Sequence, residues 1–414
     1  RVNASIASFD SLYIKETRKR KLVVPTSDYG IEKTEDTVGG YVRESEPGIY
    51  DYMIVLDFKS LYPSIIRTFN IDPLGLVADC KGKNLISVPS GTCFKRELGI
   101  LPELIEELWE HREVARKEKN ELSRYAIKIL MNSFYGVMAS TSCRFFSTKL
   151  ANSITETGHF LIKLTSKKIE EMGYRVVYND TDSCFVVSNA TDLKEAEKIG
   201  KKLQDDINNF YDSYLKKEFG VKSFLELEFD KCFVKCLMPK LRGSEKGAKK
   251  RYAGLMIKDG KERIDITGLE AVRGDWTDLA KKYQNELLDR IFHDKDIINF
   301  TRKFITDVNS GKYDDLLVYK KSLRKDLADY AVETPHKKAA KKILAHGGKI
   351  SSNIIRYVMT TDGPEPVGYV DHKIDYAHYI EKQIKPIAES VLVFFGQDFD
   401  DILKGDKQKG LGDY

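Results

Sequence analysis

At 414 residues the chain is longer than one hydrophobic core sustains, so two or three subdomains are expected. Its net charge is only +5 although 32% of the residues are charged, and basic residues gather in runs such as Lys246-Gly247-Ala248-Lys249-Lys250-Arg251, which suits a polyanionic partner. No apolar run approaches the roughly 18 residues of a membrane span and no signal peptide precedes the first charged segment, so membrane-spanning and secreted classes are excluded and a soluble cytoplasmic protein is expected.

The six cysteines, Cys80, Cys93, Cys143, Cys184, Cys232 and Cys236, form no Cys-x-x-Cys pair, and the spacing predicts reduced thiols without a zinc site. The chain starts at Arg1, which suggests a piece of a longer protein. Residues 1–40 read as a helix from Ser5 to Arg20 and a polar entry linker ending at Gly39-Gly40. A β-run, Met53 to Phe58, ends at Asp57 and leads into Lys59-Ser60-Leu61-Tyr62-Pro63. Pro63 suits the first turn of a helix with Ser60 as its cap. Asp57 therefore marks a strand end, with a plain helix-preceding aspartate as the competing reading.

Helical spacing from Leu101 to Asn120 places Arg112 and Arg116 on one face; a second helix, Ser123 to Tyr135, aligns Lys128, Asn132 and Tyr135 before Gly136. Together they predict an antiparallel helical hairpin with a basic stripe, which could serve an anion or simply be solvated. A long helix, Lys149 to Met172, precedes two apolar runs, 175–178 and 183–187, that flank Asn179-Asp180-Thr181-Asp182 as a tight β-hairpin. Two carboxylates this close repel unless a cation lies between them, though Asp and Asn are also ordinary turn residues. A helix from Leu193 to Phe219 leads to Phe224–Phe229, where Glu226 and Glu228 alternate with apolar residues. From Thr277 onward helical patterns dominate. The order of elements predicts an α+β fold: a mixed or antiparallel sheet backed by helices, a helical hairpin, and a mainly helical C-terminal part.

If Asp57 meets Asp180 and Asp182, the result is an oxygen-rich site suited to Mg²⁺, and two such ions about 3.5–4 Å apart brace an in-line displacement at phosphorus. Arg112, Arg116 and Lys128 would then grip a triphosphate, with Asn132 and Tyr135 facing the group it carries.

These residues carry a resemblance to the family B DNA polymerases. Asp57 to Ile66 resembles the family's D-x-x-S-L-Y-P-S-I-I, Lys128 to Gly136 its K-x-x-x-N-S-F-Y-G, and Tyr178 to Ser183 its Y-G-D-T-D-S. Lys249-Lys250-Arg251-Tyr252 is similar to its K-K-R-Y, and Gly39-Gly40 to its link between exonuclease and polymerase parts. The resemblance implies a right-hand fold: linker 1–40 after an exonuclease domain, palm 41–92 and 141–274, fingers 93–140, thumb and tail 275–414. It implies Asp57 and Asp182 as ligands of two Mg²⁺ ions with the Phe58 backbone beside them and Asp180 a nearby acid. Backbone at Ser60 and Leu61 would receive phosphates, and Tyr62 would exclude a 2′-hydroxyl. Lys249, Lys250, Arg251 and Tyr252 would hold primer-template DNA; Glu226 or Glu228 would be a further acid or ordinary strand alternation.

The implied function is template-directed addition of deoxynucleotides to a primer 3′-hydroxyl, in the cytoplasm at the nucleoid of a bacterium or for a virus. The chain departs from the pattern at Asn179, where relatives have glycine and where a side chain could crowd the primer end, and at the Gly39-Gly40 link, which lacks its tyrosine. No Asp-x-Glu pair occurs, so proofreading is not expected of this chain. Gln408 to Tyr414 stands where bacterial relatives carry a sliding-clamp peptide, with Asp413 against the fit. Two other readings remain: a non-catalytic primer-template-binding fragment, and a nucleotidyltransferase that needs no template.

Overall fold

A computed structural model describes residues 2–26, 36–241, 243–350 and 352–404. The polypeptide divides into two compact units, Arg1–Arg43 with Tyr52–Cys232 and Glu44–Asp51 with Phe233–Tyr414.

The first unit opens with α1 (Val2–Lys19), the helix expected from Ser5, which buries Phe9 and Tyr13. Strand β1 (Gly48–Phe58), of which Tyr52–Phe58 belongs to this unit, buries Met53 to Leu56 and delivers Asp57 to its end, and α2 (Leu61–Phe69) follows within three residues. Ser60 takes the N-cap position in the left-handed region at φ 51° and makes no side-chain cap bond, contrary to its expected role. Short strands β2 (Leu76–Val77), β3 (Leu85–Ser87) and β4 (Cys93–Lys95) form a small antiparallel sheet in the order β2-β4-β3. The expectation of reduced thiols fails here: Cys80 and Cys93 are joined in a disulfide with Cα atoms 5.6 Å apart. Pairing of Val77 with Cys93 brings the chain leading to Cys80 alongside β4, a proximity that a spacing of 13 residues did not reveal. Cys143, Cys184, Cys232 and Cys236 are buried thiols, as expected.

The helical hairpin is α3 (Ile100–Lys117) and α4 (Glu121–Met138), with the Asn120 side chain accepting from the Ser123 N–H at 3.1 Å to cap α4. Next come α5 (Thr148–Glu171), β5 (Arg175–Asp180), β6 (Ser183–Val187), α6 (Leu193–Phe219) and β7 (Leu227–Met238), of which Leu227–Cys232 belongs to this unit. Strand β6 pairs antiparallel with both β5 and β1. Val176, Tyr178, Cys184, Val186 and Leu56 are all buried, as strands covered by helices require.

Asp72 ties the base of the hairpin together. Its buried carboxylate accepts from the Tyr13 hydroxyl at 3.0 Å, the Leu101 N–H at 2.8 Å, the Leu74 N–H at 2.9 Å and the Gly75 N–H at 3.2 Å. One residue thus joins α1, the end of α2 and the first turn of α3.

In the second unit the end of β7 pairs with β8 (Tyr252–Lys258), and β8 with β9 (Lys261–Thr267). Helices α7 (Asp278–Phe292) and α8 (Ile298–Asn309) follow, as expected. The remainder is less helical than its pattern suggested. Strand β10 (Tyr319–Ser322) leads through α9 (Pro335–Ala345) to β11 (Ile354–Thr360) and β12 (Gly363–Pro366), and the three strands form an antiparallel sheet. Alternating exposed and buried residues along Ile354–Tyr357 explain β11 as a strand with one covered face. Short helices α10 (Tyr376–Tyr379), α11 (Lys385–Leu392) and α12 (Phe399–Lys404) complete the unit. Among the described residues no helix is long and apolar enough to cross a membrane.

Removing a carboxylate that satisfies four donors leaves them buried and unpaired. Asp72→Ala is expected to lower the unfolding free energy by about 3 kcal/mol in urea titration; an unchanged midpoint would contradict the anchoring role.

Candidate active site

Strand register assembles the acids. Asp57 and Asp180 both pair with Ser183, so the three side chains share one sheet face, with Asp57 and Asp180 two strands and therefore roughly 10 Å apart. Asp182 occupies the turn itself and its carbonyl accepts from the Phe58 N–H at 2.9 Å, which locks the hairpin tip beside Asp57. The turn is tighter than the sequence predicted: β5 runs through Asp180, leaving Thr181 and Asp182 as its two loop residues. Thr181 adopts φ +62°, strained for a β-branched residue, and its N–H donates to the Tyr41 carbonyl at 2.7 Å. A Cβ on Gly40 would lie 2.7 Å from Thr181 Oγ1 and 3.2 Å from Tyr62 Oη, so only glycine lets the 36–43 segment pass over this turn.

Crowding of acids acts on the protonation of Asp57. Burial first, then the carboxylates of Asp182 and Asp230 and, after the opposing effect of Lys128, that of Glu228, push its pKa up to about 7. Asp180 is not among the strongest charges acting on it.

Lys59, Ser60, Arg112, Glu113, Arg116, Arg124, Lys128, Glu228 and Asp230 line a cavity of about 320 Å³ with Asp57. Its cations differ in commitment. Lys59 is held by Glu226 at 3.1 Å and Glu228 at 3.6 Å, Arg116 by Glu113 at 3.4 Å, and Arg124 by Glu121 at 2.6 Å. Arg112 and Lys128 have no ion pair among the described residues; Arg112 Nη1 donates to Ser60 Oγ at 3.4 Å. The pocket therefore sets two uncommitted cations near a carboxylate that burial and like charge destabilise.

Tyr62 packs its ring 4.9 Å from that of Tyr135, and burial, then Tyr135, then Asp182 raise its pKa to about 12. Tyr135 donates to the Val38 carbonyl at 3.1 Å. Asn132, on the same stripe, is exposed. The Phe58 and Lys59 N–H groups are taken by the carbonyls of Asp182 and Glu226, so an incoming phosphate would find only Ser60, Leu61 and Tyr62 at the start of α2, where helix N–H groups lack internal partners. Asp230 and Arg124 were missed in the sequence. Asp230 continues the two-residue alternation of Glu226 and Glu228, a signal that was followed only as far as Phe229.

The Asn179 side chain is buried within the sheet. It lies inside β5, only 1% exposed, accepts from Ser166 Oγ at 3.2 Å, and donates to Cys184 Sγ at 3.2 Å and the Ser183 carbonyl at 3.4 Å. The left-handed residue of the hairpin is Thr181, not Asn179.

The basic Lys249–Tyr252 stretch belongs to the second unit. Lys249 and Lys250 are exposed, whereas Arg251 is committed to a salt bridge with the buried Glu270, which also accepts from Gln284 Nε2 at 2.8 Å. The tail Gln408–Tyr414 lies outside the described residues.

An α+β fold with a carboxylate-bearing sheet and a basic helical hairpin defines a polymerase-type architecture. Residues 5–393 match the family model for DNA polymerase family B, and the chain belongs to that family. It is 41% identical to DNA polymerase II of Escherichia coli (strain K12) over 99% of this chain and 53% of that protein, and 32% identical to the DNA polymerase of Thermococcus gorgonarius over 92% and 50%. A solved family B DNA polymerase from Pyrobaculum calidifontis superposes with a TM-score of 0.66 at 26% identity, covering 92% of this chain and 49% of its own. The chain thus spans about half the length of the relatives it matches.

Protonated Asp57 is favoured in the folded state, so the metal-free protein loses stability as pH rises from the ordinary carboxylate range, 3.8, to about 7. Asp57→Asn abolishes that loss. In metal-free thermal or urea unfolding the variant is expected to exceed the parent by about 2 kcal/mol at pH 8, the gap closing near pH 4; a parent as stable as the variant at pH 8 would contradict the crowding.

Proposed function

We propose that this chain adds deoxynucleotides to a primer 3′-hydroxyl under the direction of a template. The observation that carries the reading is the pocket in which Asp57, crowded by Asp182, lines the same cavity as Arg112 and Lys128, which have no ion pair among the described residues. A deoxynucleoside triphosphate supplies the negative charge that those cations lack.

The donor set fits a hard divalent cation, because Asp57 and Asp182 offer only oxygen and repel each other without one. Asp57, Asp182 and the Phe58 backbone would hold two Mg²⁺ ions, with Asp180 outside that group; the ions supply Lewis-acid stabilisation at phosphorus and a more acidic 3′-hydroxyl. Arg112 and Lys128 bind the triphosphate tail and offset charge gathering on the departing pyrophosphate. Tyr62, wedged against Tyr135, closes the space beside the sugar and excludes a 2′-hydroxyl. Asn132 and Tyr135 face the base, while Lys249, Lys250 and Tyr252 contact primer-template DNA and Arg251 supports their loop through Glu270.

This reading assigns no proofreading to the chain, in keeping with a sequence that holds no Asp-x-Glu pair. Its place of work is the cytoplasm, at the nucleoid, with clamp contact through the tail as a further element. The fragment reading is the weaker one because acids and cations of the pocket all belong to this chain.

In primer extension with Mg²⁺, Asp182→Asn is expected to cut the rate by roughly a thousandfold while primer-template affinity stays within a few-fold. DNA binding without extension by the parent would favour the fragment, and products independent of template sequence would favour the transferase. Tyr62→Ala is expected to admit ribonucleotides; unchanged sugar discrimination would remove Tyr62 from that role.

A further inference from the structure

Trp109, on α3 one turn before Arg112, does not line the pocket, yet three cations surround its indole. Lys59 Nζ lies 5.6 Å from the ring centroid, and the guanidinium carbons of Arg67 and Arg112 both lie 5.7 Å from it. All three fall within the roughly 6 Å over which a ring quadrupole attracts a cation. They come from separate places: Lys59 from the β1–α2 connection, Arg67 from α2, Arg112 from α3.

Gathering three positive charges about one side chain costs Coulomb energy unless each is offset. Lys59 is offset by Glu226 at 3.1 Å, and Arg67 by Glu106 at 3.1 Å together with the Phe224 ring at 4.1 Å. Arg112 has no carboxylate partner among the described residues, so the indole and Ser60 Oγ are what hold it. Lys59 and Arg112 are also the two of the three that line the cavity beside Asp57.

We infer that Trp109 is a positioning residue for a polyphosphate ligand: its indole holds the Arg112 guanidinium at the pocket wall before the ligand arrives, beside the Lys59 ammonium that Glu226 and Glu228 hold. The aromatic face suits this task better than a carboxylate would. A carboxylate would neutralise Arg112 and compete with the phosphates, whereas a neutral ring orients the cation and leaves its charge available. Arg67, tied to Glu106 on α3, fixes the indole against α2 and so keeps both walls in register.

The inference rests on the reading of the pocket as a triphosphate site, and calorimetry without DNA or turnover separates the two. Inorganic tripolyphosphate with Mg²⁺ is titrated into the parent, Trp109→Leu and Trp109→Phe. Loss of the ring is expected to weaken binding about tenfold in Trp109→Leu, with Trp109→Phe within about threefold of the parent. In primer extension the same loss raises the deoxynucleotide KM and leaves primer-template affinity unchanged. Trp109→Met, also without a ring, gives the same comparison if the leucine variant folds poorly. Equal affinity in the parent and the ringless variants would overturn the inference, as would a phenylalanine variant as weak as leucine, which would mark a packing role alone. A parent that binds no tripolyphosphate would overturn the pocket reading and this inference with it.

Discussion

Confinement of like charge is the constraint on which the first unit depends. Backbone hydrogen bonding between β1 and β6 brings Asp182 beside Asp57, and partial burial withholds from Asp57 much of the water that would screen it. Folding alone gains nothing from this arrangement. The protein tolerates it because ladder bonds, a buried Asn179 behind the hairpin and the Tyr41 carbonyl in front of it fix the turn from several sides. Strain at Thr181 and the glycine required at position 40 are part of the same compromise.

The opposite sign is arranged with equal economy. On the helical hairpin two basic residues are neutralised locally, Arg116 by Glu113 and Arg124 by Glu121, and these are surface pairs of small energetic weight. Arg112 and Lys128 are left without such partners, and the first of them is steadied by an indole. On the proposed reading, a ligand that brings metal and phosphate together would answer both the crowded acids and these cations.

Much of this was legible in the sequence, for physical reasons. Asp57 closing an apolar run, the paired aspartates between two β-branched runs, and the spacing of Lys128, Asn132 and Tyr135 are local patterns, and local patterns survive folding. What depended on long-range pairing was hidden. Nothing in the order of residues says that Asp57 and Asp180 would both face Ser183, which puts them two strands apart while Asp182 takes the nearer place. The disulfide between Cys80 and Cys93, the commitment of Arg251 to Glu270 and the sheet formed by β10, β11 and β12 are likewise products of tertiary contact. The hydrogen bonds that Asn179 makes inside the sheet, to Ser166 and Cys184, were hidden for the same reason.

Anomalous diffraction from crystals soaked in Mn²⁺, a stand-in for Mg²⁺, tests the central claim most directly. The account predicts a peak within coordination distance of the carboxylates of both Asp57 and Asp182. Occupancy only elsewhere, for example at the Lys342-bridged cluster of Asp362, Glu365 and His372, with no density between those two aspartates, would contradict it.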